Sequence, residues 1–308
     1  MKLTILRLHE ILETNLIQLT GGYMGIVDRK AETAREYFIT SCLSYDTPRL
    51  ETEVYPAGVR VLEELNYSRD LHYDIYIGDD KSHDEIFLLI HGGAFVYGSK
   101  ELDKCFGMHL ALESGIPVAN IDYTLMPDTD LKGQLQEIMT AVEKLSADHG
   151  IRRFHTVGDS AGGYLALIAA ILINSEEARN AFGLDLGCDA AADSVNMICG
   201  MYKTTDDLFP GVYFETDEKL PDLIYDLSEA VRRYGCPRTV IVTGDKDFLE
   251  KDDRTFHEFL TDMGVEVKFY DAVSTDERQM YHVFPISNPA WPEGRKAIEM
   301  ITDNAAGR

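Results

Sequence analysis

The run Gly158-Asp159-Ser160-Ala161-Gly162-Gly163 constrains this chain most, because it sets G-x-S-x-G between an apolar stretch and a helical one. Phe154 to Val157 reads as a short strand, and Tyr164 to Ile173 (YLALIAAILI) reads as a buried helix. A serine between them lies on a sharp strand-to-helix turn. Flanking glycines let the strained backbone pass without a Cβ clash and leave the hydroxyl exposed, placed to attack a carbonyl carbon. Taken alone, the same residues also suit a glycine-rich helix start or a small-residue packing turn.

A second signal, His91-Gly92-Gly93-Ala94-Phe95, directly follows the apolar run Ile86 to Ile90 (IFLLI). With both motifs in this order, each behind a strand, the sequence resembles the hormone-sensitive-lipase-like branch of the α/β-hydrolases. That branch carries an H-G-G-G-type loop after one strand and G-D-S-A-G-G after a later one. Acyl transfer passes through a tetrahedral oxyanion, and backbone N–H groups aimed at that oxygen are usually the largest catalytic contribution. The expected donors are Ala161, the residue after the nucleophile, together with Gly92 and Gly93. Ala94 stands where relatives often have a third glycine. His91 is expected to orient the loop by hydrogen bonding rather than to act as base. Asp122-Tyr123-Thr124-Leu125-Met126-Pro127-Asp128 also resembles the family's D-Y-R-L-A-P-E, departing from it at Thr124 and Met126.

A serine nucleophile needs a base, and the base an orienting acid, in the chain order Ser, Asp or Glu, His. After Ser160 the histidines are His257 and His282. His257 lies in DRTFHEFLTDM, whose Phe256, Phe259 and Leu260 spacing suggests an amphipathic helix with the histidine on or beside its polar face. His282 follows the strand-like Val265 to Tyr270 and a polar loop, and Tyr281-His282-Val283-Phe284 resembles the family's H-x-F before the last helix. His282 is therefore the expected base, with a buried structural histidine as the bland alternative. The strand-like Thr239 to Thr243 (TVIVT) leads into Gly244-Asp245-Lys246-Asp247-Phe248-Leu249, which offers two aspartates. Asp247 matches the family's D-x-L and is taken as the acid, whereas Asp245 suits a turn or helix cap.

Short apolar strands recur at Leu71 to Ile77, Ile86 to Ile90, Val118 to Tyr123, Phe154 to Val157, Val195 to Gly200, Thr239 to Thr243 and Val265 to Tyr270, mostly separated by helical patterns. This alternation implies an α/β fold whose mostly parallel sheet is covered by helices on both faces. The first two runs are expected to form an antiparallel hairpin turning through Gly78-Asp79-Asp80. The 308 residues, 45% of them apolar, fit one α/β-hydrolase domain with a sizeable core, the catalytic part spanning about 70–300. Leu3, Leu6, Leu8, Ile11, Leu12, Leu16 and Leu19 recur at helical spacing, and a second helical stretch runs from about Asp28 to Cys42. Relatives use such an N-terminal segment (about 1–50 here) as a cap over the active-site mouth; the alternative is an extra helix packed behind the sheet.

A net charge of −24 repels nucleic acid and anionic membranes, so neither is an expected partner. Met1 to Thr20 is interrupted by Lys2, Arg7, His9, Glu10 and Glu13, which argues against a secretory signal, and no apolar run is long enough to span a membrane. The cysteines Cys42, Cys105, Cys188, Cys199 and Cys236 form no C-x-x-C, which fits reduced thiols in the cytoplasm and implies no zinc or other metal site. The resemblance thus implies a cofactor-free serine carboxylesterase acting on small, fairly apolar esters, with Tyr213 and Phe214 in the loop Phe209 to Leu220 as acyl-pocket wall or simple core. Two other readings stay open: an amidase, formamidase or sugar-ester deacetylase on the same triad, and a non-catalytic ligand receptor of the same fold. The sequence also leaves a homo-oligomer open.

Overall fold

The computed structural model describes residues 24–79, 84–204 and 226–308, with side chains of the first helix from residue 34 onward. Among the described residues, one sheet holds eight strands: β1 (Arg60–Ser68), β2 (Leu71–Ile77), β3 (Glu85–Ile90), β4 (Val118–Ile121), β5 (Arg153–Asp159), β6 (Ala191–Ile198), β7 (Arg238–Gly244) and β8 (Val267–Ala272). Their spatial order is β1-β2-β4-β3-β5-β6-β7-β8. β2 is antiparallel to both its neighbours, and every pairing from β4 to β8 is parallel. The helices are α1 (Met24–Thr52), α2 (Lys104–Ser114), α3 (Leu131–His149), α4 (Ala161–Asn174), α5 (Glu176–Phe182), α6 (Leu227–Tyr234), α7 (Glu250–Asp262), α8 (Phe284–Ser287) and α9 (Pro292–Ala305).

The β3 run IFLLI is apolar throughout because both its faces are covered. Ile86, Leu88 and Ile90 join one core with Leu135 and Ile138 of α3, Leu165 and Ile168 of α4, and Leu260 of α7. Phe87 and Leu89, pointing the other way, join a second core with Phe106 and Leu110 of α2 and Ile298 and Ile301 of α9. Each fully buried Leu, Ile or Phe of this kind contributes about 1.5–3 kcal/mol of transfer free energy. α4 is buried along nearly its whole length and starts against β3 itself: a Cβ on Gly162 would lie 2.0 Å from the Ile90 carbonyl oxygen. Only glycine permits that approach, so the motif's second half is a packing requirement of the turn.

The expected hairpin of Leu71–Ile77 with Ile86–Ile90 does not form. β4 lies between β2 and β3, and the hairpin is instead β1–β2, turning at Arg69 and Asp70. β1 escaped notice because its register shifts around Glu63 and Glu64, where Glu64 takes φ +56° and gives its N–H to Asp74 Oδ1 at 2.9 Å, breaking the alternation. The end of the expected turn 78–80, with the rest of residues 80–83, lies outside the described residues. So do the leucines of residues 1–23 and the loop Phe209 to Leu220. The second N-terminal helix runs further than Asp28 to Cys42, from Met24 through Pro48 to Thr52. The parallel strands deliver their carboxyl ends to one edge of the sheet, the edge at which such folds build sites.

Candidate active site

At that edge Ser160 takes φ +51° and ψ −118°, a conformation costly for a residue with a Cβ, and is held there by its N–H on the Ile198 carbonyl at 2.9 Å. Asp247 follows β7 and His282 follows β8, and the three side chains meet. The Ser160 hydroxyl donates to His282 Nε2 at 3.0 Å, while Nδ1–H donates to Asp247 Oδ1 at 2.8 Å. The tautomer follows from chemistry, since an ionised carboxylate only accepts. Asp247 also accepts from Leu249 N–H at 3.0 Å and from the Thr243 hydroxyl at 3.4 Å. Burial works to raise its carboxyl, but the charge and hydrogen bond of His282, then the Cys199 thiol and Leu249 N–H, outweigh it and hold it below the usual carboxylate range. Ser160 and His282 remain half-buried and reachable, and the exposed Phe248 ring lies 4.4 Å from the imidazole.

The other sequence candidates sit apart. Asp245 is exposed, its N–H on Ala272 O at 3.0 Å and its carboxylate taking a bond from Ser274. His257 is half-buried on α7 with its ring stacked 4.8 Å from Phe269, so the helix assignment stands but one face of the imidazole is covered. His91 is fully buried, stacked on Tyr123 at 4.3 Å, with Nδ1 bonded to Gly92 O at 2.8 Å. Desolvation pushes it down to about 4, which keeps it neutral and unsuited to take a proton at neutral pH.

The oxyanion loop departs from expectation at Gly92. Its N–H is not free: it donates to Asp159 Oδ1 at 2.8 Å, and a Cβ at Gly92 would meet Asp159 Oδ2 at 2.4 Å. Among the described residues, no acceptor takes the N–H groups of Gly93, Ala94 or Ala161. The Gly92 N–H is thus committed to Asp159, and those of Gly93 and Ala94 are left without an acceptor among the described residues. Ala94 and Phe95 both take positive φ, +54° and +64°, so the loop keeps its glycine-like geometry despite the alanine.

Behind Gly92 lies a feature that motif reading did not reach. Asp159 and Asp103 are both buried, and each carboxyl shifts the other. Burial drives Asp103 well up, with the Asp159 charge adding to it. Burial likewise lifts Asp159 to about 6, opposed by His282, by Asp103 and by Gly92 N–H. The six-residue motif contains Asp159, but its partner Asp103 heads α2 and only packing brings it there. On the outer side, α1 reaches the same loop: Tyr97 donates to Asp46 Oδ2 at 3.1 Å and Arg49 to Leu102 O at 3.2 Å.

A family model described as the alpha/beta hydrolase fold matches residues 87–286. An acetyl-hydrolase of Streptomyces hygroscopicus is 25% identical over 222 residues, covering 69% of this chain and 72% of that protein. An esterase of Acinetobacter venetianus is 26% identical over 244 residues, covering 72% and 74%. Among solved structures, esterase B from Lactobacillus rhamnosis with a C4-C4 tributyrin phosphonate superposes with a TM-score of 0.80 at 22% identity, covering 91% of this chain and 96% of that one. An esterase from the bacterial hormone-sensitive lipase family gives 0.66 at 18% identity, covering 92% and 98%.

Proposed function

Because the chain belongs to the alpha/beta hydrolase fold family, we propose that it is a serine carboxylesterase acting on small, fairly apolar esters through an acyl-enzyme. The observation that carries this reading is the continuous hydrogen-bonded line Ser160–His282–Asp247, at 3.0 and 2.8 Å, beside a loop with N–H groups that no acceptor among the described residues takes. Ser160 Oγ attacks the ester carbonyl while His282 Nε2 takes its proton, and Asp247 holds the tautomer and stabilises the imidazolium. The oxyanion lies on the N–H groups of Ala161, Gly93 and Ala94. His282 then gives the proton to the leaving alcohol, and water repeats the cycle on the acyl-enzyme. No step so drawn uses a cofactor or metal. The exposed ring of Phe248 beside the imidazole supplies an apolar lip, which favours apolar esters.

The esterase relative supports acyl-ester chemistry over the amide and formamide readings. A panel of p-nitrophenyl esters of rising acyl length, run beside an anilide and a formamide, tests the choice. Turnover confined to the esters is expected. Faster anilide or formamide hydrolysis would move the assignment to an amidase or formamidase, and tight binding without turnover would make the protein a receptor.

We read the chain as a single domain, with the N-terminal segment of about 1–50 as a cap. The contacts of Asp46 and Arg49 with the loop behind the oxyanion donors support this placement. Deleting residues 1–45 should alter the ratio of octanoyl to acetyl ester hydrolysis; a folded truncation with an unchanged ratio would place the segment away from the mouth. Among the described residues no helix is long and apolar enough to cross a membrane, and all five cysteines are free thiols, which suits the cytoplasm.

A further inference from the structure

Cys199 belongs to no motif, yet it touches both loops of the acid–base pair. It ends β6 in a turn at φ +51°, a left-handed conformation that a side chain disfavours, and its N–H is fixed on Val242 O of β7 at 2.7 Å. The turn after it is held by buried Asp253 of α7, whose Oδ1 accepts Gly200 N–H at 3.1 Å and the Tyr202 hydroxyl at 2.6 Å. So placed, Cys199 Sγ, the Asp247 carboxylate and a His282 ring nitrogen all lie within 4.8 Å of one another. The sulfur accepts the Val283 N–H at 3.2 Å, the residue directly after the base.

We propose that Cys199 is a positioning residue for the hydrolytic site: its thiol donates to the Asp247 carboxylate and accepts from Val283 N–H, tying the acid loop to the base loop. The proposal rests on the reading of Ser160, His282 and Asp247 as the triad. The sulfur can fill both roles because a thiol is at once a weak donor and a weak acceptor. It is fully buried, and burial, then the charges of Asp247 and Asp253, push the thiol well up, so it stays an S–H donor and is neither nucleophile nor ready target of oxidation. A weak donor also suits this place. It orients the carboxylate while drawing off only part of the negative charge that must stabilise the imidazolium. The charged or titratable groups facing the pair are Asp159 from β5 and Asp253 from α7, together with Cys199 itself.

The test compares Cys199→Ala, Cys199→Gly and Cys199→Ser with the full-length parent, measuring kcat and KM for a p-nitrophenyl ester across pH. Glycine suits φ +51° and so protects folding while still removing the sulfur. Both sulfur-free variants should lose about tenfold in kcat, the scale of one hydrogen bond to a charged group. KM should stay within about twofold, since ground-state binding is untouched. Without the donor, more of the carboxylate's charge acts on the imidazolium, so the acid limb of the kcat/KM profile should move to higher pH. Serine keeps a donor and an acceptor and should recover kcat to within about threefold of the parent. Parent-like kcat and acid limb in the alanine and glycine variants would overturn the proposal, as would a serine variant that falls as far as they do. A fluorophosphonate probe run on the parent separates the two levels: labelling at Ser160 keeps the triad reading whatever Cys199 does, and its absence removes both.

Discussion

The sheet carries two serine–histidine–carboxylate constellations at opposite ends of its strands. At the carboxyl ends stand Ser160, His282 and Asp247. Near the amino ends, Ser194 of β6 bonds His155 Nδ1 at 2.9 Å, and His155 Nε2 lies 3.2 Å from Glu85 Oε2 of β3. The bonding order is the same and the distances are alike. What differs is the backbone and the access. Ser194 sits within β6, just after a register shift, fully buried, with His155 also fully buried against Phe87 at 5.3 Å. Ser160 sits on a strained turn, half-buried, at the head of a helix whose first N–H has no acceptor among the described residues. The two arrays share a hydrogen-bond order, and what sets Ser160 apart is a reachable hydroxyl beside N–H groups that no acceptor among the described residues takes.

Substitutions at the two ends should separate accordingly. Ser160→Ala should lower kcat on an ester by about 10⁶, the scale of losing a triad nucleophile, whereas Ser194→Ala should leave kcat within about twofold while costing about 1–3 kcal/mol of stability for the buried His155 nitrogen left unpaired. Comparable losses of kcat at both serines would break the contrast. Asp247→Asn should reduce kcat by about 10³ to 10⁴ through loss of the imidazole tautomer, against less than about tenfold for the exposed Asp245→Asn, as expected of a turn residue. Reversed magnitudes would move the acid to Asp245.

The smallest expected effect concerns the anchor of the oxyanion loop. The folded-state value of Asp159 is raised from 3.8 to about 6, so the folded protein keeps a proton that the unfolded chain releases. Its contribution is fully present below pH 4, is lost as pH rises toward 6, and then stays constant. Asp159→Asn cannot ionise. Relative to it, the parent should lose unfolding free energy as pH rises across that window, as read from denaturant melts at each pH. A difference that does not change with pH would mean that Asp159 is not held protonated by burial.

The parts of the site legible in the sequence are those whose chemistry is local. Gly158 to Gly163 encodes both the turn and the helix it enters, and His282 and Asp247 each follow a strand-like run in the order the reaction needs. The partner of the Gly92 N–H is not legible from the motif, because Asp159 lies 67 residues away. A glycine motif reveals that a backbone can approach, but not what it will meet. Asp103 and Cys199 were silent for the same reason: each looks like an ordinary helix or strand-end residue until packing removes water and leaves one partner. In the fold, the all-apolar parallel strands announced themselves, whereas β1, with Glu63 and Glu64 at a register shift, did not alternate cleanly enough to be seen.

The most direct measurement is covalent labelling with a fluorophosphonate followed by peptide mapping by mass spectrometry. One modified residue is expected, Ser160, labelled equally well in Ser194→Ala and not at all in Ser160→Ala, because only a serine with a base and free oxyanion donors reacts readily. Label on Ser194 or Ser99, or a parent protein that does not react, would contradict it.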